Sequence, residues 1–436
     1  MTHHKRCRLT NRRAGPIHDT ISAATEAIEM NGQNLNPAKS RFFPFGILML
    51  ITFVAAGVYL TAGRQASGKP TPVLPLDDAY IHFQYARAMA EGHPLHYNPD
   101  QPATSGGTSL LYPAFLAVGY AVGFRGESLG WWALAIGVLA WLGAVWLFYR
   151  VAIWRTVGGR WIAVGVATAF TITGCIAWAN LSGMETPLMI LFTLLTLDRV
   201  IRDDLRGTLI AGVLVTLTRP EGLVIGLLAV LYGVRRRRNP CTLLAALPVI
   251  IAAGVQPTIN LLATGSATAS GLQAKSYLYL VPPDTGKIII LIGNNFLRLW
   301  GELISGYSPD DGAYISPYLF LMALLLVGIG VYRVWRPARS PDSSVPGPLA
   351  PVLLVAGWLV GLSAVVATLE TAFWQFKRYQ QPLIVLLFVL GAWTLIELWG
   401  DRQWNWRTLF RSNPLQPATA IPIAFAAIVA ALIAFS

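Results

Sequence analysis

The stretch FFPFGILMLITFVAAGVYLTA, from Phe42 to Ala62, decides the fold class of this chain. Its 21 residues include no charged side chain. A helix of about 20 residues crosses roughly 30 Å of hydrocarbon, so the stretch is long enough to span a bilayer. The polar tail before it has no cleavage-site pattern, and we interpret the stretch as a signal anchor rather than a removed signal peptide.

Similar apolar runs recur along the 436 residues, of which 54% are hydrophobic and only 12% charged. Ordinary soluble domains have about 25% charged residues, so the composition predicts an all-α polytopic membrane protein. Further spans are predicted at Trp131–Tyr149, Trp161–Asn180, Pro187–Leu197, Gly207–Leu217, Leu223–Val234, Cys241–Leu262, Tyr314–Val331, Pro348–Thr368, Pro382–Trp399 and Ile421–Phe435. We interpret the ambiguous runs Thr108–Phe124 and Lys287–Ser305 as membrane-surface or re-entrant helices, which leaves about eleven spans.

The basic residues indicate the orientation. With the N-terminus in the cytoplasm, most of the 33 Lys and Arg residues fall on the inner side, and more than half of the 21 acidic residues fall on the outer side. Because basic loops mark the cytoplasmic side, the pattern favours an inner N-terminus and an outer C-terminus. The net charge of +12 then requires no nucleic-acid partner.

This topology predicts the domain organisation. Residues 1–41 form a disordered cytoplasmic tail, and residues 42–436 form one transmembrane domain without a separate soluble domain. The largest outer loop is residues 63–130. The three cysteines, Cys7, Cys175 and Cys241, have no metal-ligand spacing, and no disulfide framework is expected.

Two adjacent carboxylates, Asp77 and Asp78, begin a helical pattern in that outer loop. An aspartate in this position can be an N-cap that satisfies free backbone N–H groups. Capping explains only one of the two, since adjacent like charges repel. The pair is therefore a candidate for catalytic chemistry.

The other outer segments each bring charged residues to the membrane surface. Each of these charged residues also has a simpler explanation of its own. It could be an acidic residue in the first turn of a helix, a member of a structural ion pair, or a lysine that snorkels to the lipid headgroups, as for Lys377. Together they place carboxylates suited to a general base, and cations suited to a phosphate, on one face. They are Glu185 in SGMETPL, Arg219 and Glu221 in TRPEGL, Lys275 in SGLQAKSYLYL, and Arg378 in WQFKRYQQP.

Three histidines, His82, His93 and His96, lie close to the aspartates in sequence. Gly92 and Pro94 indicate a turn, and we interpret all three as surface-loop histidines rather than metal ligands. Carboxylate oxygens suit hard cations, so a divalent cation (Mg²⁺, Mn²⁺ or Ca²⁺) with Asp78 as a ligand is the one cofactor left open.

The segment DDAYIHFQYARAMAEGHPLHYNPDQPATSGGTSLLYPAFLA, which begins at Asp77, resembles the first outer loop of GT-C-fold glycosyltransferases. It is most similar to the bacterial group that contains the mycobacterial terminal arabinofuranosyltransferases, and less so to protein O-mannosyltransferases and aminoarabinose transferases. GMETPL, TRPEGL, QAKSY and KRYQQP resemble later landmarks in the same order, so the likeness covers roughly Asp77 to Leu387. It implies a GT-C-type transmembrane helical bundle with juxtamembrane helices in the first outer loop.

The resemblance also implies an activity, namely inverting transfer of a sugar from a polyprenyl-phosphate donor to an acceptor hydroxyl, on a glycan or a lipid. The site would lie on the periplasmic face of a bacterial inner membrane. By resemblance, Asp77 is the general base, and Asp78 orients it or holds a metal. Lys275, Arg378 and Arg219 would bind the donor phosphate, while Glu185, Glu221, Tyr80 and Tyr85 would bind sugar or orient these cations.

Two other functions are consistent with the same features. A transporter or flippase for lipid-linked saccharides would also use outward cations and aromatic residues. Transporters usually have ionisable groups near mid-membrane and two repeated halves, and we find no internal repeat. A non-catalytic subunit with the same fold is the third interpretation.

Overall fold

The computed structural model describes residues 37–68, 71–72, 74–154, 159–237, 244–310, 312–313 and 349–399. The chain divides into two units between Ile47 and Leu48, and the site described below lies in the second. The described helices are α1 (Pro37–Ser67), α2 (Asp77–Ala90), α3 (Leu111–Ala121), α4 (Leu129–Ala152), α5 (Arg160–Ile172), α6 (Gly174–Leu181), α7 (Thr186–Ile201), α8 (Leu205–Thr218), α9 (Gly222–Arg237), α10 (Leu247–Thr264), α11 (Ser270–Lys275), α12 (Thr285–Ser305), α13 (Leu349–Ala367) and α14 (Gln381–Trp399). A short antiparallel pair, β1 (Tyr307–Ser308) and β2 (Gly312–Ala313), follows α12.

Several of these helices are long and apolar enough to cross a membrane. Among the described residues there are six, and the pair α5 and α6, bent by 63°, could form a seventh. The chain is therefore a multi-pass membrane protein, as predicted. The six are Phe43–Ser67, Gly126–Ala152, Leu244–Thr264, Thr285–Ser305, Ala350–Ala367 and Trp374–Glu397.

Most of the predicted spans coincide with helices. Three of them are short, since α7 and α9 have 16 residues each and α8 has 14. The predicted surface segment Lys287–Ser305 lies within α12, which meets the length and composition of a span, so its surface position stays a prediction. The predicted spans Tyr314–Val331 and Ile421–Phe435, and most of the predicted tail, lie outside the described residues.

The buried core lies between the helices that follow the first outer loop. Trp141 and Phe148 on α4 and Phe170 on α5 are fully buried, and the rings of Phe148 and Phe170 stack with centroids 5.1 Å apart. The crossing of α8 and α9 depends on small residues. A Cβ on Gly226 would lie only 2.9 Å from the carbonyl oxygen of Gly212, so a larger side chain there would force the helices apart.

The two ends of α7 carry separate clusters of charge. Glu185 is the N-cap residue of α7, and the helix starts with Thr186 and Pro187, because proline fits the first turn of a helix. Near the other end, Asp198 is fully buried and lies within 4 Å of Arg150, Arg199 and Arg202, residues predicted for the inner side. The acidic residue predicted for the outer side and these arginines thus lie at opposite ends of one helix.

Candidate functional site

The first turn of α2 carries the adjacent carboxylates. Its N-cap residue is Leu76, which makes no side-chain capping bond. Asp77 Oδ1 instead accepts the backbone N–H of Asp78 at 2.9 Å. Neither aspartate is therefore the N-cap. Both lie inside the first turn, where the helix dipole favours negative charge.

Asp78 is paired with two of the predicted cations. Its Oδ2 lies 2.9 Å from Arg378 Nη2 and 3.4 Å from Lys275 Nζ. The Asp78 side chain is 19% exposed, whereas that of Arg378 is buried. Burial raises the pKa of Asp78, but the charges of Arg378 and Lys275 outweigh it and hold the pKa below its ordinary value. The structure thus brings together residues from the predicted first outer loop, α11 and the turn before α14.

A second ionic group lies where the α6–α7 loop meets the α8–α9 hairpin. Arg219 ends α8 with an extended backbone, and Pro220 cannot continue the helix. The Arg219 guanidinium donates to Glu185 Oε1 at 2.7 Å and to Glu221 Oε1 at 2.5 Å. Burial raises the pKa of Glu185, but Arg219 and His82 outweigh it and hold that pKa well below its ordinary value.

Tyr379 joins the two groups. Its ring centroid lies 4.8 Å from Arg219 Cζ and 4.7 Å from Arg378 Cζ, within the range of cation–π contacts. Arg378 also donates a hydrogen bond of 2.6 Å to the Tyr379 hydroxyl. Tyr379 is not among the site residues predicted from the sequence, although its place directly after Arg378 in KRYQQP was an available signal.

Two cavities meet at these residues. The larger, about 1010 Å³, extends from Asp78 between the α8–α9 hairpin, α10, α11 and the end of α13. The smaller, about 220 Å³, is lined by Asp77 and Trp374, among other residues. Asp78, Lys275, Arg378 and Tyr379 line both cavities.

The guanidinium of Arg378 is incompletely satisfied. Its Nη2 contacts Asp78 and Tyr379, but its buried Nε and Nη1 have no hydrogen-bond partner among the described residues. Unsatisfied buried donors are rare in proteins, and those of a charged group cost most. An oxyanion at this position could satisfy them.

The predicted sugar-binding tyrosines differ in their surroundings. Tyr85 lines the larger cavity and is also structural, because its hydroxyl lies 2.6 Å from Thr104 Oγ1 and accepts the Gly106 N–H at 3.0 Å. Tyr80 is 42% exposed, contacts Phe83 edge-to-face and lines neither cavity.

Two interpretations from the sequence are wrong. His82 is not a surface-loop histidine. It is buried on α2, with Nε2 3.2 Å from Glu185 Oε2, and it lines the larger cavity, whereas His93 is exposed in the predicted turn. Lys377 does not snorkel to the headgroups, because its side chain is fully buried, forms an ion pair with Glu302 and donates to Ser308 Oγ at 2.7 Å.

The residues present do not fit a divalent cation. Such ions prefer about six oxygen ligands. Within the described residues there is no group of three His, Cys, Asp or Glu side chains that could hold one. The expected ligand Asp78 is already paired with Arg378 and Lys275.

Known proteins resemble this chain in fold but hardly in sequence. No family model matches it, and no curated protein matches it. The structure of archaeal oligosaccharyltransferase AglB from Archaeoglobus fulgidus, in complex with an inhibitory peptide and a dolichol-phosphate, is 13% identical with a TM-score of 0.52. That match covers 90% of this chain and 54% of the other, so this chain spans about half the length of that protein.

Two further structures are similar at lower scores. ArnT from Cupriavidus metallidurans, bound to undecaprenyl phosphate, is 14% identical with a TM-score of 0.46, over 88% of this chain and 64% of that one. The A. fulgidus oligosaccharyltransferase tethered to an acceptor peptide is 13% identical with a TM-score of 0.44, over 89% and 53%. The likeness to AglB shows the fold alone. The chain thus has the GT-C-type transmembrane helical bundle that its sequence predicted, while the narrower arabinofuranosyltransferase group stays a prediction.

Proposed function

We propose that this protein is a membrane glycosyltransferase that moves a sugar from a polyprenyl-phosphate donor to an acceptor hydroxyl, with inversion. The observation that carries the proposal is the buried Arg378 guanidinium, which lines both cavities and whose Nε and Nη1 find no acceptor in the part of the chain that the structure describes. A phosphate oxyanion is the group that planar guanidinium donors recognise best. The GT-C-type fold is consistent with this chemistry.

The larger cavity is proposed to hold the donor. Its lining is mostly apolar and reaches membrane helices α10 and α13, as a lipid substrate requires. The donor phosphate would contact Arg378 and Lys275. Arg219, whose charge is already neutralised by Glu185 and Glu221, would instead hold Tyr379 against Arg378 through the shared contact with its ring. Arg378 and Lys275 would stabilise the negative charge that develops on the leaving phosphate.

The smaller cavity is proposed to receive the acceptor. Asp77 would take the proton from the acceptor hydroxyl while that oxygen attacks the anomeric carbon. The bond between that carbon and the phosphate oxygen breaks, and polyprenyl phosphate leaves. Asp77 suits the base better than Asp78, because the two cations that lower the pKa of Asp78 also make it a weaker base.

Asp78 is proposed to fix the cations rather than to accept the proton. Glu185, Glu221 and Tyr85 line the larger cavity and would bind sugar hydroxyls or orient Arg219. Tyr80 lines neither cavity, so we assign it no role. The charge pattern supports a site on the side of the membrane away from the cytoplasm. The resemblance implies that this side is the periplasmic face of a bacterial inner membrane.

The test is transfer by the purified full chain in proteoliposomes with radiolabelled polyprenyl-phosphate sugars. We expect the wild type to consume the donor and Asp77→Asn to lose transfer, with Asp100→Asn, an exposed aspartate of the same loop, as the control. Unchanged transfer by Asp77→Asn would exclude the base assignment. Labelled lipid that crosses the bilayer without being consumed would identify a transporter.

A further inference from the structure

One segment, residues 367–378, is linked to two of the three phosphate-binding candidates. It forms backbone hydrogen bonds with the chain around Lys275, and it includes Arg378. The backbone carbonyl of Lys275 accepts the N–H of Glu370 at 2.8 Å, and the N–H of Tyr277 donates to the Thr368 carbonyl at 2.9 Å. Arg378 is the last residue of the same segment. A shift of this segment would therefore move both Lys275 and Arg378.

Helix α12 holds the start of this segment through an amide. Asn295 Nδ2 donates to the carbonyl of Ala367 at 3.2 Å and to that of Leu369 at 2.9 Å. These carbonyls lie at the last residue of α13 and two residues beyond it, where the backbone leaves the helix. Asn295 is thus a link between α12 and the strand-like contact of Ser276 with Leu369.

Helix α12 holds the end of the segment through a carboxylate. Glu302 is buried and pairs with Lys377, the residue directly before Arg378. Its other oxygen accepts Arg298 Nε at 2.6 Å, and the Arg298 guanidinium lies 4.0 Å from the ring centroid of Phe373. Glu302 therefore holds the segment at Lys377 directly and at Phe373 through Arg298.

The backbone between these points is strained. Gln375, Phe376 and Lys377 have φ values of 57, 49 and 63°, in the left-handed region that side chains other than glycine avoid. Three such residues in a row persist only where the surroundings fix them. The buried Lys377–Glu302 pair is the contact that does so directly before Arg378.

We propose that Asn295 and Glu302 are positioning residues that set the places of Lys275 and Arg378 in the site. Neither residue lines either cavity, so they act on a bound anion only through the 367–378 segment. The identity of that anion rests on the proposed function. The contacts that hold the segment do not depend on it.

The test uses the full chain in detergent and measures two quantities, hydrogen exchange of the 367–378 segment and affinity for undecaprenyl phosphate without a sugar. Glu302→Gln removes the charge of the pair, and Asn295→Ala removes the amide bonds without leaving a buried charge alone. Each variant should speed exchange in the segment and in residues 275–277, and should weaken binding about tenfold or more. Asn295→Ala keeps the test decisive if Glu302→Gln does not fold.

The matched control is Asp198→Asn, which removes an equally buried and paired carboxylate at the far end of α7. It should lower the unfolding temperature while leaving affinity and segment exchange at wild-type values. Wild-type exchange in both Glu302→Gln and Asn295→Ala would overturn the positioning role. Wild-type affinity of Arg378→Gln for undecaprenyl phosphate would contradict the proposed function but not the positioning role. Hydrogen exchange of the 367–378 segment would then be the measurement that tests whether Asn295 and Glu302 of α12 hold it.

Discussion

Arg378 Nη2 lies 2.9 Å from Asp78 Oδ2, so a guanidinium directly before α14 neutralises a carboxylate in the first turn of α2. Lys275 approaches the same oxygen at 3.4 Å. Two cations thus share one carboxylate, and the group keeps net positive charge for an anionic ligand. The pair also ties the predicted first outer loop to the turn before α14.

We expect Asp78→Asn to lower the free energy of unfolding by about 1–3 kcal/mol, because two cations lose their shared carboxylate. Thermal unfolding in detergent checks the change, with Asp100→Asn as the exposed control. Equal midpoints for the two variants would mean that the pairing seen here contributes nothing to stability.

We expect Arg378→Lys to weaken donor binding about tenfold or more while the protein stays folded, because lysine lacks the planar, forked donors of arginine. The measurement is KM for the lipid-linked donor alongside the unfolding temperature. Arg202→Lys, at the far end of α7, is the control and should leave KM unchanged. A Lys variant with wild-type KM would show that only charge matters at this position.

The lowered pKa of Asp78 predicts how its stabilising contribution depends on pH. A carboxylate whose folded pKa lies below its unfolded value stabilises the fold above the unfolded pKa of about 3.9. The contribution disappears as the pH falls through the lower, folded pKa. The difference in unfolding temperature between wild type and Asp78→Asn should therefore be constant from pH 7 to about pH 4 and shrink below it. A difference that does not change in acid would contradict the pairing.

We expect His82→Phe to destabilise the protein by about 1–3 kcal/mol, because the buried Glu185 loses a partner while the ring volume is kept. His93→Phe, on an exposed residue of the turn, should change stability by no more than about 0.5 kcal/mol. Urea or thermal unfolding of the two variants checks this. Equal changes in stability for the two variants would show that the buried contact of His82 with Glu185 does not stabilise the fold.

Cysteine labelling tests the orientation. In a variant without Cys7, Cys175 and Cys241, a membrane-impermeant maleimide should label a cysteine in place of exposed His93 from the periplasm. It should label one in place of Arg236 only after the membrane is permeabilised. The reverse pattern would invert the topology and exclude a periplasmic site.

Hydropathy and charge were enough to predict the membrane helices and to group Asp78, Glu185, Arg219, Lys275 and Arg378, because the charge pattern places the segments of all five on one side of the membrane. Composition and spacing did not separate the roles of Asp77 and Asp78, which were assigned by resemblance alone. Adjacent residues of a helix point in different directions, and only packing against Arg378 distinguishes them.

Burial of the remaining groups depended on partners far away in the chain. Lys377 looks like a snorkelling residue until Glu302, on another helix, is brought next to it. For His82 a signal did exist, because it lies four residues after Asp78 and therefore on the same face of α2. The turn indicated by Gly92 and Pro94 therefore bears on His93 and His96, whereas the helical spacing from Asp78 bears on His82.

The short helices α8 and α9 have a consequence for the bilayer around them. With 14 to 16 residues they rise about 21–24 Å, which is less than the roughly 30 Å of hydrocarbon in a typical membrane. Lipids next to helices of this length adapt by local thinning, a response to hydrophobic mismatch. Thinning lowers the headgroup layer toward the hairpin that carries Arg219, so a lipid phosphate would reach the cations by lateral diffusion, with its chain still in the bilayer.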